Sequence, residues 1–493
     1  MYAMNKKFYA LFLCITIFFT NLTSMNLLEA PSDLIVNDVF WKDTSGKNIY
    51  SQGGGVFKFG DTFYWYGVHY KGAETYAESP TKRNSDTSFV SITCYSSKDL
   101  VNWKFENDVL TQKSPGWINA GWVGRMGVAY CPKTKLYVLL TQHDDNVLFA
   151  TCSTPTGNFE VKNRQHQIDN VVKTGTGDQT VFVDDDGQAY LIFSNQSGRN
   201  HQYVAKLREK DFLQIEKAVE IAKGQGREGN CMFKYKGKYY FCASDLHGWN
   251  SSHSYYMVAD NIFGPYSNWM VMEGTDNDFS HVTQTGFFYT IKGSKQETVL
   301  FCGDRWSDFA GNGIGYNQWV PLTVDGNKVK FNSLSEFHIN AETGEWKAGE
   351  KNNYILNPSF EADRVTTENM AGWKSSGVGN TNISHGRTGN FCMTQWSDKD
   401  FKSTLSQSIT LPNGTYTLKA FAKSGGNFNE SYIYIKGFGG EDKTVSITKA
   451  GGEWKEFTIT DIKVTNGKCE VGVYTDGKAN AWVRSDDFSL VAQ

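Results

Sequence analysis

Two carboxylates in this chain stand in matching surroundings. Asp178 lies in Thr176-Gly177-Asp178-Gln179-Thr180-Val181-Phe182, ahead of the turn Asp184-Asp185-Asp186-Gly187 and the run Ala189-Tyr190-Leu191-Ile192-Phe193. Glu228 lies in Arg227-Glu228-Gly229-Asn230, ahead of Met232-Phe233, a Lys236-Gly237 turn and Lys238-Tyr239-Tyr240-Phe241. Each acid sits beside a β-hairpin of the same written form. Acids at the starts of successive repeats can converge on one axial pocket. Hydrolysis of a glycosidic bond needs such a pair, one carboxyl protonating the leaving oxygen and another handling charge or water. Two unrelated strand-end acids would look the same, so the acids alone leave both readings open.

The elements that must position them are strands. Helical periodicity is nearly absent, and aromatic residues make up 15% of the chain. A turn followed by an aromatic or apolar strand recurs at Phe63–Gly67, Leu136–Leu140, Ala189–Phe193, Lys238–Cys242 and Thr298–Cys302. Successive starts lie 73, 53, 49 and 60 residues apart, the scale of one four-stranded propeller blade. The fold class expected is therefore all-β, a five-bladed β-propeller over residues 29–345. The polar stretch around 346–353 reads as a linker. Beyond it, Asn357-Pro358-Ser359-Phe360-Glu361, Gly372-Trp373, Leu411 to Tyr416, Trp454 and Asp486 to Leu490 mark short alternating strands. These predict a β-sandwich jelly roll over 354–493.

Lys6 and Lys7 precede the apolar run Phe8 to Phe19, which is too short to span a bilayer. Residues 1–28 read as a signal peptide, with a signal anchor as the other reading, and the mature protein is expected to be exported, periplasmic or secreted. No second apolar stretch is long enough to cross a membrane. The formal charge of −3 comes without a basic block, so nucleic acid is excluded as a partner. Nine cysteines show no Cys-x-x-Cys spacing, which argues against zinc and leaves free thiols and disulfides both open.

Three ordered segments carry a family resemblance. They are Tyr95-Ser96-Ser97-Lys98-Asp99-Leu100-Val101-Asn102-Trp103, Asp178 through Gly187, and Glu228 through Tyr240. Together they resemble glycoside hydrolase family 43 over nearly all of the expected propeller. The resemblance implies Glu228 as general acid and Asp178 as the carboxylate that orients it and keeps its pKa raised. Physics agrees, since a nearby anion disfavours ionisation of Glu228. Arg227 must then point away. The family's usual general base, an Asp before Pro in the first blade, is missing, because that place reads Tyr50-Ser51-Gln52-Gly53-Gly54-Gly55-Val56. This variant is similar to the branch of exo-β-1,3-galactanases, where a glutamine positions water, which implies Gln284 for that task. Glu74 and Asp304 are further candidates for the base.

That branch carries acids where this chain has Val68 and Gly124-Arg125. Their loss favours a furanose subsite, for α-L-arabinofuranose or β-D-galactofuranose, over exo-β-1,3-galactanase activity. Gln52 and Gly54 would let backbone approach the sugar. Arg125, His247, Trp249, Arg305, Trp306 and Tyr316 complete the expected substrate contacts. The C-terminal part resembles galactose-binding-like carbohydrate-binding modules, which implies a structural calcium at Glu361 and Asp487. No cofactor is implied for catalysis. The expected protein is an exo-acting, inverting glycosidase acting on an oligo- or polysaccharide that contains arabinose or galactose. Its rivals are a non-catalytic sugar-binding propeller and a surface protein displaying the C-terminal module.

Overall fold

The computed structural model describes residues 33–79, 86–173, 175–306, 316–363 and 365–493. The expected signal peptide, 1–28, lies outside the described residues. Hairpins joined by tight turns build five antiparallel sheets of four strands each. The first holds Gln52–Phe59, Thr62–Tyr70, Phe89–Ser97 and Lys104–Thr111; the second, Val123–Cys131, Leu136–His143, Asn146–Cys152 and Glu160–Gln165. The third holds Thr176–Val183, Ala189–Asn195, His201–Leu207 and Ile215–Lys223. Glu228–Tyr235, Lys238–Ser244, Ser254–Ala259 and Met270–Val271 form the fourth; Gln284–Lys292, Glu297–Arg305, Tyr316–Asp325 and Lys328–Phe331 form the fifth.

The first strand of each sheet packs beside the first strand of the next, and that of the fifth packs beside that of the first. Apolar side chains fill the space between sheets. Trp65 of the first, Trp103 just ahead of its last strand, and Leu300 and Trp319 of the fifth share one core with Ile35, Phe337 and Ile339. The last three belong to a small sheet in which Leu34–Val36 pairs with Glu336–Ile339, and that strand with Trp346–Ala348.

Part of the expected linker 346–353 is thus a strand. Its end is also tied down: Asn353 Nδ2 donates to the Phe488 carbonyl, and Asn353 Oδ1 accepts the N–H of Leu490. Strand pairing and these side-chain bonds take up backbone groups that a free polar tether would leave to water. Residues beyond it form two five-stranded sheets facing each other. Leu405, Ile433, Val471 and Val473 of one meet Met393, Leu418, Val483 and Leu490 of the other, the alternating in-and-out pattern of a sandwich. All eight described cysteines are free thiols. Among the described residues no helix is long and apolar enough to cross a membrane.

Candidate active site

Each of the five first strands breaks register with its neighbour close to its opening. The breaks fall between Gln52 and Gly55, Val123 and Met126, Thr176 and Gln179, Glu228 and Cys231, and Thr285 and Phe287. Such a bulge bends the strand and re-aims its side chains. A glycine sits within every break, and at two of them the need is plain. A Cβ at Gly54 would lie 1.7 Å from the Tyr66 carbonyl oxygen. Gly229 has φ +62°, and a Cβ there would lie 2.4 Å from the Thr285 oxygen. Beside these glycines stand Arg125, Asp178, Glu228 and Gln284, which line one cleft of 630 Å³.

Arg125 organises the cleft floor. Its Nε donates to Asp178 Oδ2 at 3.1 Å, Nη1 to Asp304 Oδ2 at 2.9 Å and Nη2 to Gln284 Oε1 at 2.8 Å. Asp178 Oδ2 also accepts the Gly229 N–H at 2.8 Å. Burial pushes the Asp178 carboxyl up, but Arg125, Arg199 and that N–H outweigh it and hold the group below its ordinary value. Glu228 goes the other way. Burial first, and the Asp178 charge second, raise it to about 7 against the opposing pull of Arg199 and Arg125. One acid is thus kept ionised and its neighbour kept protonated near neutral pH, the division of labour that acid catalysis needs. Arg227 points away, its guanidinium over the ring of Tyr255 at 3.9 Å.

One wall is aromatic. Tyr70 stacks on Trp122 at 5.2 Å, Trp122 meets Trp249 at 5.5 Å, and Trp249 meets Trp306 edge-on at 5.3 Å. The indole of Trp122 lies over Gly124, where a Cβ would come within 2.5 Å of Nε1. Trp249 remains 37% exposed, with a surface free for a sugar ring.

Of the expected contacts, Arg125, Trp249, Trp306 and Gln284 line the cleft. Trp306 Nε1 donates to Gln284 Oε1 at 2.7 Å. Gln52 and Gly54 do not line it. The glycine run instead accommodates Tyr66 and the Arg125 side chain, whose Cγ lies 3.4 Å from a Cβ built on Gly53. Arg305 is directed elsewhere because successive strand residues face opposite ways. Asp304 meets Arg125, while Arg305 Nη1 pairs with Asp38 Oδ1 at 2.9 Å. The His247 imidazole is held by Asp245 at 2.7 Å, beside the lining residues Gly248 and Trp249. Tyr316 opens a strand opposite Arg305; its side chain lies outside the described residues. Neither further candidate for the base has access to the cleft. Glu74 pairs with Lys71 and His69 on the helix Lys71–Glu78. The Asp304 side chain has no exposure at all.

Sequence reasoning missed Arg199, Trp122, Gln142, Asp144 and Asp145, all on the cleft. The recurring signal that could have found the site is a glycine within two residues of each functional side chain. It reaches Arg199 as well, through Gly198 on a hairpin connection, but not Gln142, Asp144 or Asp145. Gln284 follows a turn, Phe279–Val282, whose four residues all have positive φ between 48° and 58°. Asp278 caps it by accepting the His281 N–H at 2.9 Å. The His281 ring, raised to about 10 by Asp38 and Asp278 against the effect of burial, lies 3.0 Å from Asp38.

In the C-terminal sandwich, Glu361 and Asp487 are not arranged as a cation site. Arg387 Nη1 pairs with Asp487 Oδ2 at 2.6 Å, and the Thr388 hydroxyl donates to Asp487 Oδ1. A carboxylate so engaged by a guanidinium does not fit a calcium ligand. The acid that feels Glu361 is Asp486, raised to about 9 by burial first and then by the charges of Asp487 and Glu361. Glu361 Oε1 accepts the N–H groups of Asn390 and Phe391 at 2.8 and 2.7 Å.

The comparisons with known proteins bear on the fold and the family. The exo-β-1,3-galactanase from Clostridium thermocellum is 22% identical, covers 94% of this chain and all of its own, and superposes with a TM-score of 0.58. The exo-β-1,3-galactanase from Phanerochaete chrysosporium, solved with β-1,3-galactotriose, is 21% identical over 93% of this chain and 100% of its own, with a TM-score of 0.57. At that identity both speak for the fold alone. A 1,6-α-glucosyltransferase of Sporosarcina globispora is 25% identical over 214 residues, 38% of this chain, and the match spans 17% of that enzyme. Residues 59–312 match the pattern of Glycosyl hydrolases family 43. The chain belongs to that family and is a glycoside hydrolase, acting on O-glycosyl bonds.

Proposed function

We propose that the protein is an exo-acting, inverting glycosidase that removes terminal arabinose or galactose units. Its catalytic half, 29–345, is read as a five-bladed propeller, and the sandwich, 354–493, as a carbohydrate-binding module joined through 346–353. The observation that carries the reading is Glu228, held protonated to about pH 7 beside an ionised Asp178 in a 630 Å³ cleft. Glu228 gives its proton to the leaving oxygen, and Asp178 orients it and keeps it protonated. With Oε1 of Gln284 taken by Arg125 and Trp306, its Nε2–H groups remain to orient the attacking water. The proton that this water sheds passes to solvent at the cleft mouth, where Asp144 and Asp145 lie. Residues 1–28 support export as the protein's destination.

A furanose, α-L-arabinofuranose or β-D-galactofuranose, is favoured by the two positions that lack an acid. Val68 is fully buried, and Trp122 occupies the space over Gly124. The second reading, exo-β-1,3-galactanase, is favoured by the two solved neighbours of that name. The test is sugar release by wild type and Glu228→Gln from aryl α-L-arabinofuranoside, aryl β-D-galactofuranoside and debranched β-1,3-galactan. Turnover of a furanoside, lost in the variant, is the expected result. Turnover of galactan alone replaces the furanose reading by the second. Sugar binding without turnover of any substrate would mean a non-catalytic propeller.

A further inference from the structure

Arg199 is the charged group of the cleft that the scheme above leaves without a task. It sits on the connection between Ala189–Asn195 and His201–Leu207, with a left-handed φ of 45°. Its carbonyl accepts the N–H of Arg227 at 2.9 Å and Nε2 of Gln202 at 2.8 Å. The loop is thereby tied to the residue next to Glu228. The side chain reaches between the two acids, Nε 3.6 Å from Glu228 Oε2 and Nη2 3.7 Å from Asp178 Oδ1. Both separations exceed a hydrogen bond by a few tenths of an ångström. Nε is buried and, among the described residues, makes no hydrogen bond. Arg125 differs: three of its nitrogens are already engaged below the cleft surface.

We propose that Arg199 is a positioning residue for the acid, its guanidinium closing on the Glu228 carboxylate that remains after the proton has left. This rests on the reading of Glu228 as general acid. In that step the Glu228 proton moves to the glycosidic oxygen, and the C1–O bond breaks with its electron pair staying on that oxygen. Water oxygen bonds to C1 and its extra proton goes to solvent, from which Glu228 is reprotonated. Arg199 exchanges no proton. Without it, the new carboxylate would face Asp178 in a buried site with only Arg125, already committed, to offset the charge. The charged and titratable groups around Glu228 are Asp178 and, behind it, Arg125 with Asp304. The Asp245–His247 pair follows its hairpin, and Asp144 and Asp145 lie at the rim.

The test uses the full chain with Arg199→Met and Arg199→Lys. The Glu228 carboxyl is titrated by infrared difference against Glu228→Gln, which needs no turnover. We expect Arg199→Met to raise the midpoint by about one pH unit or more, the effect of removing an opposite charge within 4–6 Å, and Arg199→Lys to restore most of it. In turnover, the Met variant should lose more on aryl glycosides with poor leaving groups than on those with good ones, and its alkaline limb should move up. An unchanged titration, or equal loss across leaving groups, overturns the proposal. If Arg199→Met fails to fold, Arg199→Gln gives the same reading. Wild type inactive on every glycoside would sink the acid assignment, while the titration still decides whether Arg199 faces the Glu228 charge.

Discussion

The cleft and the C-terminal sandwich each bury a pair of acids, and they handle the pair differently. In the cleft, Arg125 and Arg199 stand beside Asp178 and Glu228, so one acid is ionised and the other poised at about 7. In the sandwich, backbone N–H groups hold Asp486 and Glu361, while the nearby guanidinium of Arg387 goes to Asp487. Burial first, and the Asp487 charge second, drive Asp486 up to about 9. Burial with a neighbouring anion is enough to keep a proton on an acid. Giving that proton up at neutral pH needs a cation as well, and in the cleft Arg199 and Arg125 supply it.

The comparison can be broken most severely at Asp178. Asp178→Asn removes the anion that helps hold the Glu228 proton, and we expect turnover to fall on the order of 10²-fold. The alkaline limb should move below the wild-type position near pH 7, because Glu228 is left facing two cations. A pH–rate profile checks both, and an unshifted limb would remove Asp178 from its role. Next in size is Gly229→Ala, which puts a Cβ against the Thr285 carbonyl at a positive-φ position and disturbs the N–H that Asp178 receives. A destabilisation of roughly 1–3 kcal/mol is expected in urea unfolding. A neutral result would mean that the bulge tolerates a side chain.

The smallest effect sharpens the comparison from the other side. Asp486 has a folded pKa raised above its unfolded value of 3.8. Its contribution is therefore fully present below about pH 4 and is lost as pH rises towards 9. In chelator, we expect the melting temperature of the sandwich transition to fall steadily as pH rises from 5 to 8. Asp486→Asn should flatten that dependence. A slope identical in wild type and variant would exclude Asp486 as its source.

Asp178 and Glu228 were legible because their chemistry is local: an acid, a glycine and a hairpin, written twice. The all-β character and the stride of the strands were legible for the same reason. Gln52 and Arg305 went astray because strand alternation and a bulge decide which way a side chain points, and a shift of one residue reverses the answer. Trp122 and Arg199 escaped notice since each earns its place only through partners distant in the chain, Trp122 through the rings of Tyr70 and Trp249 and Arg199 through Glu228 on another sheet. The pairing of Asp487 with Arg387 was hidden for the same reason, since no spacing reveals it.

The pairing of Leu34–Val36 with Glu336–Ile339 sets a timetable for the newborn polypeptide. The two partners are about 300 residues apart, and at roughly 5–20 residues per second the earlier one waits about 15–60 s for the later to be made. Until then the ring-like half has an unsealed seam with Trp65 and Trp103 on one side of it and Trp319 not yet available. Contacts of such long range also slow closure itself. The interval before sealing is when this chain is most open to being threaded, captured by a chaperone or lost to aggregation.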